Sequence, residues 1–498
     1  MTWIDITIFI VYFLLMLGIG FFFANKHSDE RDYFTGGGNM SPGHVGLSVV
    51  ATDVGGGFSI GLGGIGFTMG LSGSWLLFTG LIGAWISAVF LIPLVFKWQK
   101  AHGRHFLTLP QVFGFLYNRK VALVAAIISI IGYTGFTSSQ LLAGAKLTSA
   151  TFPQMGTEGM LWIMGAITVI YTMLGGMKAV IYTDTVQWII LLAGLMGVAI
   201  PLAWTKLGGY EGITPYLTKD MLSLGNISWQ QVVNWSVTII PIWFVGMTLY
   251  QRIFAVKDEK AAKKAWYIAG ALEWPFMAFT GVILGMLANV AVQKGIVPVP
   301  GGVLEDSEMG LPLLVKNILP AGFTGIVMAA YFSAVLSTAD SCLMAASGSI
   351  VGDLVPKHKK GSNKRVVRLS QVATFMVGVL AILLASTMEN VLSLMLYAYA
   401  FMVSGLFIPV VAAMMLKKRY PQPAFVSMIT GGTTTILLII SEVKLPLGLD
   451  ANIFGLSAAI IAYVLVHKIM QNSNFTPALA ATGQSETRSH ELSEVAVE

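Results

Sequence analysis

Apolar positions along this chain do not alternate with polar ones; they run on. Residues 6–25, 54–96, 121–145, 185–205, 221–251, 274–293, 390–416 and 420–441 contain no Asp, Glu, Lys or Arg. A helix crosses a bilayer with about 20 predominantly apolar residues, and most of these runs supply that or more. In lipid, only helices and closed barrels satisfy their own backbone hydrogen bonds. Barrel strands alternate with period two, and these runs are too long and too uniformly apolar for that. The pattern predicts an all-α membrane protein with about 13 transmembrane helices. They fall near residues 4–25, 43–70, 74–97, 121–146, 159–176, 178–205, 229–251, 264–293, 321–352, 366–388, 391–416, 422–441 and 451–470.

Residues 1–470 therefore read as a single transmembrane domain, with a structured outer loop at 294–320 that carries Pro298, Pro300, Gly301, Gly302 and Pro312. Residues 471–498 are polar and aperiodic, which predicts a disordered cytoplasmic tail. Composition agrees with a lipid-facing surface, since only 11% of the chain is charged against roughly 25% in soluble proteins. The net charge of +6 could suggest a nucleic-acid partner, but the placement of the cations says otherwise. The loops after every odd-numbered helix, together with the tail, hold 24 of the 30 Lys and Arg residues, and the opposite side holds 6. That bias is the positive-inside rule. It predicts a multi-pass protein of the inner (plasma) membrane, N-terminus outside and C-terminus cytoplasmic. The cluster from Lys357 to Arg368 reads as a topology anchor. No basic region precedes the first helix, which reads as retained rather than cleaved. The single cysteine, Cys342, excludes an intrachain disulfide.

Three places break the rules for lipid-buried sequence. The second helix carries Ala51-Thr52-Asp53-Val54-Gly55-Gly56-Gly57. Glycine costs roughly 1 kcal/mol against alanine in a helix, and a carboxylate at the bilayer centre costs roughly 2.5–3.5 kcal/mol on insertion scales. Close packing through small residues explains the glycines but not Asp53. The stretch predicts a helix that unwinds and frees carbonyls and amides for binding. Gly61, Gly63 and Gly66 spell GxGxxG, yet no strand precedes them, so they read as packing. The seventh helix has a second interruption, Pro241 to Gly246, followed by Met247, Thr248 and Tyr250. These two helices head successive five-helix blocks, and paired breaks point to an inverted-repeat transporter with its site at the midplane. The repeats are placed at about residues 43–205 and 229–416. On the ninth helix, Ser333, Ser337, Asp340, Ser341 and Ser347 share one stripe, with Thr338 well off it. Such a stripe lines a cavity or meets another polar helix. Its hydroxyls, with carbonyls from the opened second helix, suit a hard cation.

At this point the residues resemble the sodium:solute symporter family, which includes bacterial proline, sialic acid, choline and sugar symporters. Tyr171-Thr172-Met173-Leu174-Gly175-Gly176, Ala179-Val180 and Thr183-Asp184-Thr185-Val186-Gln187 carry the resemblance. Asp32-Tyr33-Phe34 with Gly36 to Gly38, Gln251-Arg252 and the run from Ala334 to Asp340 extend it over about residues 5–440. The resemblance implies a LeuT-type five-plus-five core. It implies a sodium ion held by carbonyls of Ala51, Val54 and Ala334 with hydroxyls of Ser337 and Thr338. It implies a second sodium at Asp184, Asp340 and Ser341, where Asp340 departs from the family's serine. Two adjacent buried carboxylates cannot both stay charged without a cation, so sodium or a shared proton must bind there. For the solute, the resemblance implies Asp53, Gly55, Gly56, Gly57, Phe136, Gln140, Trp243 and Met247. Asp53 stands where choline transporters have a tryptophan, which argues against choline although the three glycines are choline-transporter-like.

These features predict sodium-coupled uptake of a small organic solute by alternating access, foremost an amino acid or similar zwitterion. A carboxylate, sugar, polyol or choline-like solute stays open. So does proton coupling through Asp53, Asp184, Asp340 and Glu273. A channel would need a continuous polar pore or a repeated filter, and the chain has isolated polar islands instead. No histidine lies mid-helix, which leaves His-based enzyme chemistry unsupported. A sensor would need room for a signalling domain. The expected ligands are sodium and the solute, in a lipid bilayer, with no nucleic acid and no obligatory protein partner evident.

Overall fold

The computed structural model describes residues 2–24, 30–103, 105–151, 153–299, 301, 303–355 and 363–472. Residues 473–498 of the predicted tail, Pro300, Gly302 and residues 357–362 of the predicted topology anchor lie outside them. No strand occurs among the described residues. The first part of the chain forms α1 (Trp3–Ala24), α2 (Pro42–Val54), α3 (Gly56–Met69), α4 (Trp75–His102), α5 (Arg119–Thr151) and α6 (Gly156–Leu192). There follow α7 (Trp229–Val245), α8 (Met247–Ala255), α9 (Glu259–Leu272), α10 (Phe279–Gln293) and α11 (Phe323–Ser349). The last are α12 (Asn363–Ala385), α13 (Val391–Met415), α14 (Pro421–Ile440) and α15 (Ala451–Asn472). Among the described residues, 9 helices are long and apolar enough to span a membrane, or 10 with the bent pair α7–α8 counted as one. Trp3–Ile19 and Gly156–Ile170 are shorter apolar helices.

Helix starts follow their capping residues. Ser41 accepts from His44 N ahead of Pro42, Asp258 accepts from Ala261 N at 2.8 Å, and Asn390 from Ser393 N at 2.7 Å. Each satisfies one of the amides that a helix start leaves unpaired. Within α6 the chain passes Gly176 at φ 64°, a backbone only glycine adopts readily, so two helical segments meet there.

Helix α11 is the axis of the molecule. Almost every residue from Val327 to Ser349 is buried, and α11 packs most extensively on α5 and α6. Outward-facing Leu14 and Leu15 on α1, Phe375, Met376 and Leu380 on α12, and Ile460 and Ile461 on α15 are exposed. A shell this apolar is suited to acyl chains rather than water. The GxGxxG glycines serve packing, as their positions show. A Cβ on Gly63 would meet Leu311 Cδ2 at 3.0 Å, and one on Gly66 would run into the backbone of Val282 on α10.

Candidate functional site

The second predicted helix does come apart. Helix α2 ends at Val54 and α3 begins at Gly56, with Gly55 between them at φ 19°, ψ −179°. The seventh breaks too, and α7 and α8 meet at 42°. That break lies at Gly246, while Pro241 stays inside α7.

Helix α11 lies across the first break. Ser337 Oγ donates to the carbonyl oxygens of Ala51 at 3.1 Å and Ala334 at 3.1 Å. Thr338 Oγ1 donates to Ala51 O at 3.2 Å and Thr52 O at 3.0 Å. Ser337 and Thr338 are 100° apart on the helix, yet both reach the break because the Ala51 carbonyl projects between them. The glycines permit this approach. A Cβ on Gly55 would stand 2.8 Å from Thr338 Cβ and 2.7 Å from Gln140 Oε1. One on Gly56 would stand 3.1 Å from Val335 Cα, and one on Gly57 2.8 Å from Gln140 Nε2. Gln140 Oε1 also accepts from Gly57 N at 2.9 Å. The three glycines, predicted to touch solute, therefore abut α11 and α5 side chains.

The predicted stripe on α11 serves several partners. Ser333 Oγ donates to Tyr12 Oη of α1 at 3.0 Å, away from the break. Asp340 and Ser341 belong to a separate buried cluster with Asp184. There the sequence reading omitted a built-in cation. Arg252, fully buried, pairs with Asp184 Oδ2 at 3.0 Å. Its guanidinium also donates to Ser48 Oγ at 2.9 Å, Thr52 Oγ1 at 2.5 Å, Ser341 Oγ at 2.8 Å and Thr248 O at 3.2 Å. Ser48 Oγ adds a 2.5 Å bond to Asp184 Oδ2. The positive-inside count takes Arg252 as a loop cation; the structure moves it into the core. Asp184 thus accepts from Ser48 and Arg252. Asp184 Oδ1 and Asp340 Oδ2 stay buried without a partner.

Asp53, Phe136, Gln140 and Trp243 are all buried. Phe136 packs edge-on against Tyr399 with ring centroids 4.7 Å apart, and Trp243 against Trp266 at 6.4 Å. Met247 is buried as well, and its sulfur accepts at 3.2 Å from Leu109 N, at the start of a short helix, Leu109–Leu116. Asp53 Oδ2 has no partner, and its carboxyl group lies against that of Glu273. Glu273 and Arg252 are the residues sequence reasoning left out of the site. Both were visible as charges, Glu273 inside the predicted helix at 264–293, where it is named only for proton coupling, and Arg252 one residue past the predicted helix at 229–251.

A sequence model of the sodium:solute symporter family matches residues 33–431. The chain belongs to the sodium:solute symporter family. It is a LeuT-fold, sodium-coupled transporter of a small solute, multi-pass in the plasma membrane, and not an enzyme. This symporter is 28% identical to the osmoregulated proline transporter OpuE of Bacillus subtilis over 92% of the chain and 93% of the relative. It is 28% identical to the sodium/proline symporter of Escherichia coli, over 86% of each. Its fold matches a solved Na+-coupled sialic acid symporter with TM-score 0.77, 20% identity and coverage of 96% and 99%.

Proposed function

We propose that this symporter carries an amino acid or similar zwitterion into the cell, with its coupling sodium seated where α11 crosses the break at Gly55. The ion would be held by carbonyls of Ala51, Val54 and Ala334 and hydroxyls of Ser337 and Thr338. The observation that carries this reading is the convergence of both hydroxyls on one carbonyl of an interrupted helix. The donor set fits. It is made of neutral oxygens, the ligands a hard cation favours, and an entering ion would take the place of the hydroxyl-to-carbonyl bonds. Asp53, Gln140, Phe136 and Trp243, together with the proline-carrying relatives, support a solute site on the other side of the same break. We place the repeats at about 43–205 and 229–416, the N-terminus outside and the C-terminus in the cytoplasm.

A second sodium has its own support. Arg252 balances one of the two carboxylates at Asp184 and Asp340, and each keeps a buried oxygen without a partner. An ion held there by Asp184, Asp340 and Ser341 would balance the other.

The deciding experiment is uptake of labelled L-proline into proteoliposomes under an imposed sodium gradient or an imposed proton gradient. Uptake driven by sodium alone is expected. Uptake driven by protons without sodium would refute the sodium seat.

A further inference from the structure

Glu273 is a fully buried carboxyl group whose two oxygens have no hydrogen-bond partner. An isolated carboxylate in such surroundings is expensive, and here it lies against a second one, Asp53, with its own unpartnered Oδ2. Among the described residues no Lys, Arg or His pairs with either. The guanidinium of Arg252 donates instead to Ser48, Thr52, Asp184, Ser341 and Thr248. The pair at Asp184 and Asp340 therefore has a cation of its own, and the pair at Asp53 and Glu273 has none among the described residues.

The backbone aims Glu273 at this place. Between α9 and α10 the helix widens into a π-helical turn, Glu273–Ala278, that contains Pro275. Such turns cluster at functional sites. A Cβ on Gly80 of α4 would stand 2.8 Å from Glu273 Cδ, and one on Gly83 2.9 Å from Trp243 Cγ. Three residues of helix span about 4.5 Å, so the carboxyl group and the indole sit one turn apart on the same glycine face. Trp243 Nε1 is itself buried without a partner. Tyr399 lies within electrostatic reach of both carboxylates. Carboxylates flanked by aromatic rings match an organic ammonium, whereas the neutral oxygens across the break at Gly55 match a bare ion.

We propose that Asp53 and Glu273 together seat the protonated nitrogen of the solute, so that this symporter selects solutes carrying a cationic amine over carboxylates and sugars. This rests on the proposed solute site beside the break and narrows it. Two negative charges facing one ligand favour a solute whose ammonium dominates. An anion without an amine would meet only repulsion there.

The test uses the full chain in proteoliposomes with a panel of labelled probes: L-proline, putrescine, tetrahydrofuran-2-carboxylate, lactate and glucose. Sodium-stimulated uptake is expected only for probes that carry a cationic nitrogen. In Glu273→Gln, the KM for each such probe should rise about tenfold or more while the half-saturating sodium concentration stays put. Glu273→Asp should recover part of the loss, which separates charge from folding. Sodium-stimulated uptake of lactate, glucose or tetrahydrofuran-2-carboxylate would overturn the inference and leave the sodium seat standing. So would a Glu273→Gln protein with unchanged KM, or one altered only in sodium activation. No sodium-stimulated uptake of any probe would overturn the solute site itself, and the inference with it.

Discussion

Thr338 Oγ1 lies 3.2 Å from the carbonyl oxygen of Ala51, on the last turn of a helix that stops at Val54. The contact exists because the next residue has no side chain. In Gly55→Ala, the added methyl would press on Thr338 Cβ at 2.8 Å and drive the hydroxyl from the carbonyl. Sodium-stimulated uptake should fall about tenfold or more, the effect of losing one good polar contact, with membrane insertion intact. Wild-type uptake rates measured alongside surface abundance would contradict this.

Arg252 and Asp184 form a buried pair whose side chains are both 0% exposed. Removing one partner of such a pair costs about 3–5 kcal/mol, because a buried charge is left alone. Arg252→Gln should therefore lower the unfolding temperature in detergent markedly. Adding Asp184→Asn should restore part of the loss. A double variant no more stable than Arg252→Gln would show that the pair is not coupled.

Asp340 brings a second carboxylate to the same cluster, with Oδ2 unpartnered. If it holds the second ion, Asp340→Asn should reduce the sodium-to-solute ratio from two to one, read from reversal potentials in proteoliposomes. A ratio of one in the wild type, or an unchanged ratio in the variant, would exclude that ion.

At one end of the bundle, Lys146 Nζ of α5 contacts Asp306 at 2.6 Å and Glu308 at 2.7 Å. Glu308 also accepts from Val391 N and Leu392 N, both at 2.9 Å, at the start of α13. One carboxylate thus ties a loop, α5 and a helix N-terminus, where the helix dipole favours negative charge. Lys146→Met should destabilise the protein by about 3–5 kcal/mol, seen as earlier thermal unfolding, and Lys146→Arg should cost less. Equal melting of Lys146→Met and wild type would contradict the role given to this network.

Much of this was legible in the chain because membrane burial punishes polar groups. Asp53 and the glycines could not be explained by lipid, and the helix breaks beside them. The spacing rule placed Thr338 off the polar stripe, and it was the resemblance that brought it to the ion. Helical periodicity gives a residue's direction but not which carbonyl comes to meet it. Arg252 was read as a loop cation because it follows an interruption near a predicted helix end. Only the packing of α8 against α2 and α11 reveals that it points inward. Met247 meets a distant segment, Leu109–Leu116, that nothing in its own neighbourhood of the sequence announces. Contacts between elements far apart in sequence leave no local signature.

Sodium activation of solute uptake by Ser337→Ala/Thr338→Ala, compared with wild type in the same proteoliposomes, tests the central claim most directly. The half-saturating sodium concentration should rise about tenfold or more, with the protein folded and inserted. Sodium activation indistinguishable from wild type would mean that the ion does not sit where α11 crosses the broken helix.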